Sequence, residues 1–169
     1  MNRPGSVVMA SALFYNYLAV KAADRGRVIG RIRVNILVVD DEKRISEFLV
    51  KVAHKEGYTE VDTVPTATEA VTQVMRQEYD LITLDLKMPD ASGLEIISTL
   101  RNMCPHAVIV VISGFLPEAV SAEVAGCVDL MLSKPVRVDA LTRLFRAADQ
   151  ISQILDEIQL LGSGEAAES

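Results

Sequence analysis

Five short apolar runs, each followed by a stretch of helical periodicity, constrain this chain more than any other feature. They are "NILVV" (35–39), "EVDTV" (60–64), "DLITLD" (80–85), "AVIVVIS" (107–113) and "DLMLS" (129–133). The fourth is apolar at nearly every position, as expected of a strand covered on both faces. Between the runs, residues 42–56 put Ile45, Phe48, Leu49, Val52 and Ala53 on one helical face, and Gly57 stops that helix. Thr66 or Thr68 can cap the next helix, whose inward face is Ala70, Val71, Val74 and Met75. Ser92-Gly93 opens a third, with Leu94, Ile97 and Leu100 inward, and residues 117–125 form a short fourth ended by Gly126. Five βα units in succession predict an α/β fold with a doubly wound, five-stranded parallel sheet.

The final helix, predicted over residues 138–161, would extend about 36 Å at 1.5 Å per residue. That is longer than a sheet of such short strands can cover. Leu141, Leu144, Ala148, Ile151, Leu155 and Ile158 alternate three and four apart, the spacing of a coiled-coil seam. Residues 138–148 are expected on the sheet. Residues 149–161 then need another partner: a second copy, giving a homodimer, or the N-terminal apolar segment. The tail from 162 to 169, "GSGEAAES", is small and polar and is expected to fray.

Residues 1–33 form an extension of different character. Residues 1–34 hold six basic side chains (Arg3, Lys21, Arg25, Arg27, Arg31, Arg33) against one acid, Asp24. Taking these from totals of 17 basic and 23 acidic leaves 11 and 22, a downstream body of net −11. A body that acidic argues against nucleic-acid binding through it. Within the extension, "VVMASALFYNYLAV" (7–20) is interrupted by Asn16 and falls short of the roughly 20 apolar residues a bilayer span needs. A signal peptide with "AVKAAD" as a poor cleavage site, a packed helix, a partner-binding segment and an over-called start all remain open for it. Cys104 and Cys127 lie far apart with no CxxC pattern, and read as small apolar residues in a reducing compartment.

Polar residues gather where such a sheet binds ligands, beyond the carboxyl ends of its strands. Asp40 and Asp41 end the first strand, Asp85 the third, Ser113 the fourth and Lys134 the fifth. Clustered carboxylates repel one another and call for a cation. Hard oxygen ligands with room for water suit Mg²⁺, which bridges to phosphate oxygens. One carboxylate can then act as a nucleophile toward a phosphoryl group. A lysine ammonium and a hydroxyl are the groups that stabilise charge on the transferred oxygens.

From residue 35 to about 148 the chain resembles the receiver domain of two-component response regulators. The pieces "ILVVDDE", "LITLDLKMPDASGLE", "VVISG" and "LMLSKP" carry the resemblance, in that order. It implies the flavodoxin-like fold with strand order 2-1-3-4-5 and a receiver domain over residues 34–148, followed by the 149–161 extension. It implies a cytoplasmic, Mg²⁺-dependent protein that takes a phosphoryl group from a histidine kinase or phosphotransfer protein and signals by conformational change. Enzymatic activity would be confined to its own phosphoryl transfer and dephosphorylation. By position, Asp85 is the phosphoacceptor; Asp40, Asp41, Asp85 and the backbone carbonyl of Lys87 hold the metal. Ser113 bonds a phosphoryl oxygen and Lys134 pairs with another, and the Lys134–Pro135 bond is expected to be cis. The alternative is a pseudo-receiver, never phosphorylated, that serves as an interaction or dimerisation module. A haloacid-dehalogenase-type enzyme needs a second Asp two residues after the nucleophile, where Lys87 stands. Two departures from the family's pattern are Met131, where it has Tyr or Phe, and a segment between Ser113 and Gly126 about two residues short.

Overall fold

The computed structural model describes residues 34–163, and side chains as far as Leu161. The expectations for residues 1–33, including the apolar stretch 7–20, and for residues 164–169 lie outside the described residues. Five strands and five helices alternate in the described residues: β1 Ile36–Val39, α1 Lys43–Lys55, β2 Val61–Val64, α2 Ala67–Val74, β3 Leu81–Leu84, α3 Gly93–Met103, β4 Val108–Ser113, α4 Ala122–Ala125, β5 Leu130–Ser133 and α5 Val138–Ser163. The strands form one parallel sheet in the order β2-β1-β3-β4-β5. Among the described residues, no helix is long and apolar enough to cross a membrane.

Alternation along the strands divides the core in two. Ile36 and Val38 of β1, Leu81 of β3, and Val110 and Ile112 of β4 pack with Leu49, Val52 and Ala53 of α1 and with Leu141, Leu144, Phe145 and Ala148 of α5. The intervening residues, Leu37, Val39, Ile82, Leu84, Ile109 and Val111, face Ala70 and Val74 of α2 and Ile97 and Leu100 of α3. A strand with helices on both faces has no solvent side, which is why β1 reads as an unbroken apolar run and β3 departs from one only at the buried Thr83.

Sequence and structure differ at three elements. Met75 is 71% exposed, because α2 ends at Val74 and Met75 is only its C-cap. Its sibling candidates Ala70 and Val74 are buried, Val71 is half-buried, and Thr66 takes the capping position, accepting from the Glu69 amide. The fourth helix spans only Ala122–Ala125 rather than 117–125. Pro117 lacks an amide hydrogen and disfavours helical geometry in the residue before it. Ser121, whose hydroxyl accepts from the Val124 amide, is where the helix starts. Finally, α5 runs through Ser163, past the expected end at 161, and its seam splits. Leu141, Leu144 and Ala148 are buried against the sheet, whereas Ile151 and Ile158 are exposed and Leu155 is half-buried. The compact unit runs to Leu155, and the described residues beyond it are the last turns of α5.

Candidate phosphoacceptor and metal centre

The order β2-β1-β3 places the topological switch between β1 and β3, and parallel register brings the ends of these strands level. Val39 pairs with Leu84, so the next residues, Asp40 and Asp85, emerge side by side. Ser113 pairs with Ser133, which sets Lys134 just past Ser113; the Lys134 amide donates to the Ser113 carbonyl at 3.0 Å. The Lys134–Pro135 peptide is cis, as the resemblance implies.

Asp85 is 4% exposed and fully engaged. Its Oδ1 accepts from the Ser113 hydroxyl at 2.6 Å and from the Lys87 amide at 3.1 Å; its Oδ2 lies 2.5 Å from the Lys134 ammonium. Lys134 also reaches Asp40 Oδ2 at 2.9 Å and Glu42 Oε1 at 3.1 Å. Asp40 Oδ1 accepts from the Glu42 amide at 2.9 Å, which fixes its rotamer. Asp41 is exposed at the rim, and one carboxylate oxygen from each of Asp40, Asp41 and Asp85 lies within 4.8 Å of the others.

Electrostatics distinguish the two buried carboxyls. For Asp85, burial pushes the pKa up, but the Lys134 ammonium, the Ser113 hydroxyl and the Lys87 amide together outweigh it, and the group sits below the usual carboxylate range. For Asp40 burial wins over the same lysine and the Glu42 amide, and its carboxyl is raised. Burial alone would lower Lys134, yet hydrogen bonds to Asp85, Asp40 and Glu42 hold it above its ordinary value. Asp85 is therefore an ionised, oriented carboxylate at neutral pH, beside a charged ammonium.

Gly93 makes this geometry possible. A Cβ there would lie 2.3 Å from the Asp85 carbonyl oxygen and 3.1 Å from Leu86 Cα, both backbone atoms that cannot swing aside. With no side chain, the start of α3 tucks against the loop after β3 and the Gly93 amide donates to the Leu86 carbonyl at 3.0 Å.

The structure thus brings Asp40, Asp41, Asp85, Ser113 and Lys134 to one rim, with the Lys87 amide on Asp85. Two participants escaped the reading of the sequence. Glu42 closes the run "ILVVDDE", and its place one residue past the acidic pair is a usable signal for its bond to Lys134. Phe115 carried no such signal: its ring lies 3.5 Å from Lys87 Nζ at the centroid, a contact set by the loop after β4.

Three carboxylates against one ammonium fit a hard divalent cation, since only added positive charge relieves the remaining repulsion. The family model described as "Response regulator receiver domain" matches residues 36–146. The chain belongs to that family and carries the receiver domain of two-component systems. Among its relatives, the transcriptional regulatory protein TcrA of Mycobacterium tuberculosis is 34% identical over 126 residues, covering 72% of this chain and 49% of TcrA. The chain therefore spans about half the length of that relative. A Burkholderia pseudomallei response regulator solved with a phosphorylated aspartic acid, calcium ion and citrate is 28% identical, with TM-score 0.60, over 75% of this chain and 74% of the other. TrrA of Thermotoga maritima, solved with Mg²⁺ and BeF, is 32% identical, with TM-score 0.61, over 68% of this chain and 98% of the other. In this chain one carboxylate oxygen from each of Asp40, Asp41 and Asp85 is placed to serve a divalent cation.

Proposed function

We propose that Asp85 accepts a phosphoryl group from the phosphohistidine of a histidine kinase or phosphotransfer protein, with Mg²⁺ as the metal. In that step the P–N bond of the donor breaks and a P–O bond to Asp85 forms, the electron pair leaving with the imidazole. The observation that carries the reading is the state of Asp85 itself. It is buried, held ionised, and gripped by the Ser113 hydroxyl and the Lys134 ammonium at the mouth of an acidic cluster.

Each residue then has a definite task. Lys134 neutralises a phosphoryl oxygen as negative charge accumulates there, and Ser113 exchanges its bond to Asp85 for one to another phosphoryl oxygen. Asp40, Asp41, Asp85 and the Lys87 carbonyl hold the Mg²⁺, which offsets the repulsion between an incoming phosphoryl group and the carboxylates. Movement of the Ser113 hydroxyl is felt in the loop after β4, because the same oxygen accepts from the Phe115 amide at 3.3 Å. This supports signalling by conformational change, with no turnover of a separate substrate. No acidic or lysine position of the constellation is missing, so nothing favours the pseudo-receiver.

Incubation with acetyl phosphate and Mg²⁺, followed by intact mass measurement of wild type and Asp85→Asn, tests the reading. One added phosphoryl group on wild type alone supports it. An equal addition to the variant, or none to either protein, overturns it.

A further inference from the structure

A lysine ammonium has three N–H donors, and three carboxylates take those of Lys134. Asp85 Oδ2 lies at 2.5 Å, Asp40 Oδ2 at 2.9 Å and Glu42 Oε1 at 3.1 Å. The three partners are not equivalent. Asp40 and Asp85 are buried members of the acidic cluster, whereas the Glu42 side chain is 60% exposed and stands apart from it. Glu42 is the N-cap residue of α1, yet its carboxylate does no capping. Its backbone is what the helix start uses. The amide donates to Asp40 Oδ1 at 2.9 Å, and the carbonyl accepts from the Ile45 and Ser46 amides at 2.8 and 3.1 Å. The carboxylate can therefore leave Lys134 while the backbone of Glu42 stays where it is.

We infer that Glu42 is a positioning residue that acts through Lys134: its carboxylate fills the place on the ammonium that a phosphoryl oxygen takes, and it must be displaced each time Asp85 is phosphorylated. The inference rests on the reading of Asp85 as the phosphoacceptor. Asp85 carries the new group and Asp40 serves the cation, which leaves Glu42 as the partner to give way. Its exposure makes it the easiest of the three to release, since water receives the freed carboxylate. Its departure also takes one negative charge from the ammonium as the phosphoryl group brings more. The Glu42–Lys134 bond thus exists in the resting protein and is absent from both the transition state and the phosphorylated form. An interaction confined to the starting state slows formation of the product and leaves the breakdown of that product unchanged. Glu42 sets a threshold for phosphorylation without altering how long the phosphoryl group persists.

The test follows phosphoryl gain from acetyl phosphate with Mg²⁺, and loss after donor removal, by intact mass of the full chain. In the gain step the P–O bond to acetate breaks, acetate leaves with the electron pair, and a P–O bond to Asp85 forms. Glu42→Ala should gain the group about two- to fivefold faster than wild type, the range for an exposed ion pair, and lose it at the wild-type rate. Glu42→Asp keeps the charge on a side chain one methylene too short for the pinned lysine, and should match Glu42→Ala. Glu47→Gln removes an exposed acid from the same helix and should behave as wild type. Gain by Glu42→Ala at or below the wild-type rate overturns the inference. So does a wild-type rate in Glu42→Asp, or a change in loss that accompanies the change in gain, since either would reduce Glu42 to its charge alone. Wild type that takes no phosphoryl group would refute the reading of Asp85 and this inference together, whereas phosphorylated wild type matched by Glu42→Ala refutes this inference alone.

Discussion

Lys87 stands two residues past Asp85 with its backbone and side chain committed in different directions. The amide holds Asp85 Oδ1, while the ammonium lies over the exposed ring of Phe115. Substitution to alanine leaves the amide in place and removes only the bridge across the mouth of the site. Lys87→Ala should therefore leave the rate of phosphorylation unchanged and alter dephosphorylation, speeding it as water gains access. An exposed cation–π contact is worth about 0.5–1 kcal/mol, which scales the change at about two- to fivefold. The readout is decay of the phosphorylated protein after donor removal. Phe115→Ala should reproduce the change, and equal decay rates for wild type and Lys87→Ala would end the idea. The contrast with the five rim residues is physical. Asp40, Asp41, Asp85, Ser113 and Lys134 were legible because a strand end fixes where its next residue points. The position of Phe115 depends on a loop whose path no periodicity encodes.

Among the elements, α2 shows how the loop after β3 is anchored away from the chemistry. The amides at the start of a helix have no partners within it. Here the Ala67 and Thr68 amides donate to Asp90 at 3.0 and 2.9 Å, the Thr68 hydroxyl adds a bond at 2.8 Å, and the Glu69 amide goes to Thr66. Asp90 thus ties the "KMPD" segment that follows Asp85 to a helix N-terminus, and these bonds, the Thr68 amide foremost, draw its pKa from 3.8 to about 2. A carboxyl whose pKa falls on folding adds stability in full above its unfolded value, and that stability is lost as pH drops through the folded value. Asp90→Ala should lower the thermal midpoint by a few degrees at pH 7, with the gap from wild type narrowing below pH 3.8 toward about 2. Thermal melts at stepped pH check this, and a gap independent of pH across that window would remove Asp90 from the role. Thr66 and Thr68 were equal candidates for the cap in the sequence, because the choice rests on Asp90, 22 residues from Thr68. The same kind of remote control governs α5. Its three-and-four spacing runs from Leu141 to Ile158, yet only Leu141, Leu144 and Ala148 of that series are buried, on the part of the helix that the Ser152–Asp80 bond ties to the domain.

For the whole molecule, the acidic rim sets a cost of folding that a cation can relieve. Folding gathers Asp40, Asp41 and Asp85 within 4.8 Å, and among the described residues Lys134 is the cation paired with Asp40, Asp85 and Glu42. The unfolded chain disperses those charges, so repulsion among them counts only against the native state. A ligand that binds the native state alone stabilises it by RT ln(1 + [L]/Kd), about 1.4 kcal/mol at ten times Kd. For a chain of this length that corresponds to a rise in melting temperature of about 3–6 °C. Mg²⁺ should therefore raise the melting temperature of wild type, chelator should reverse the gain, and sodium chloride at equal ionic strength should not reproduce it, since general screening does not bridge the three carboxylates. Asp41→Asn removes one ligand from the exposed rim without disturbing the Lys134 bonds to Asp40 and Asp85, so its melting temperature should respond weakly to Mg²⁺. If wild type gained nothing from Mg²⁺, or Asp41→Asn gained as much, the three carboxylates would not act as one metal centre.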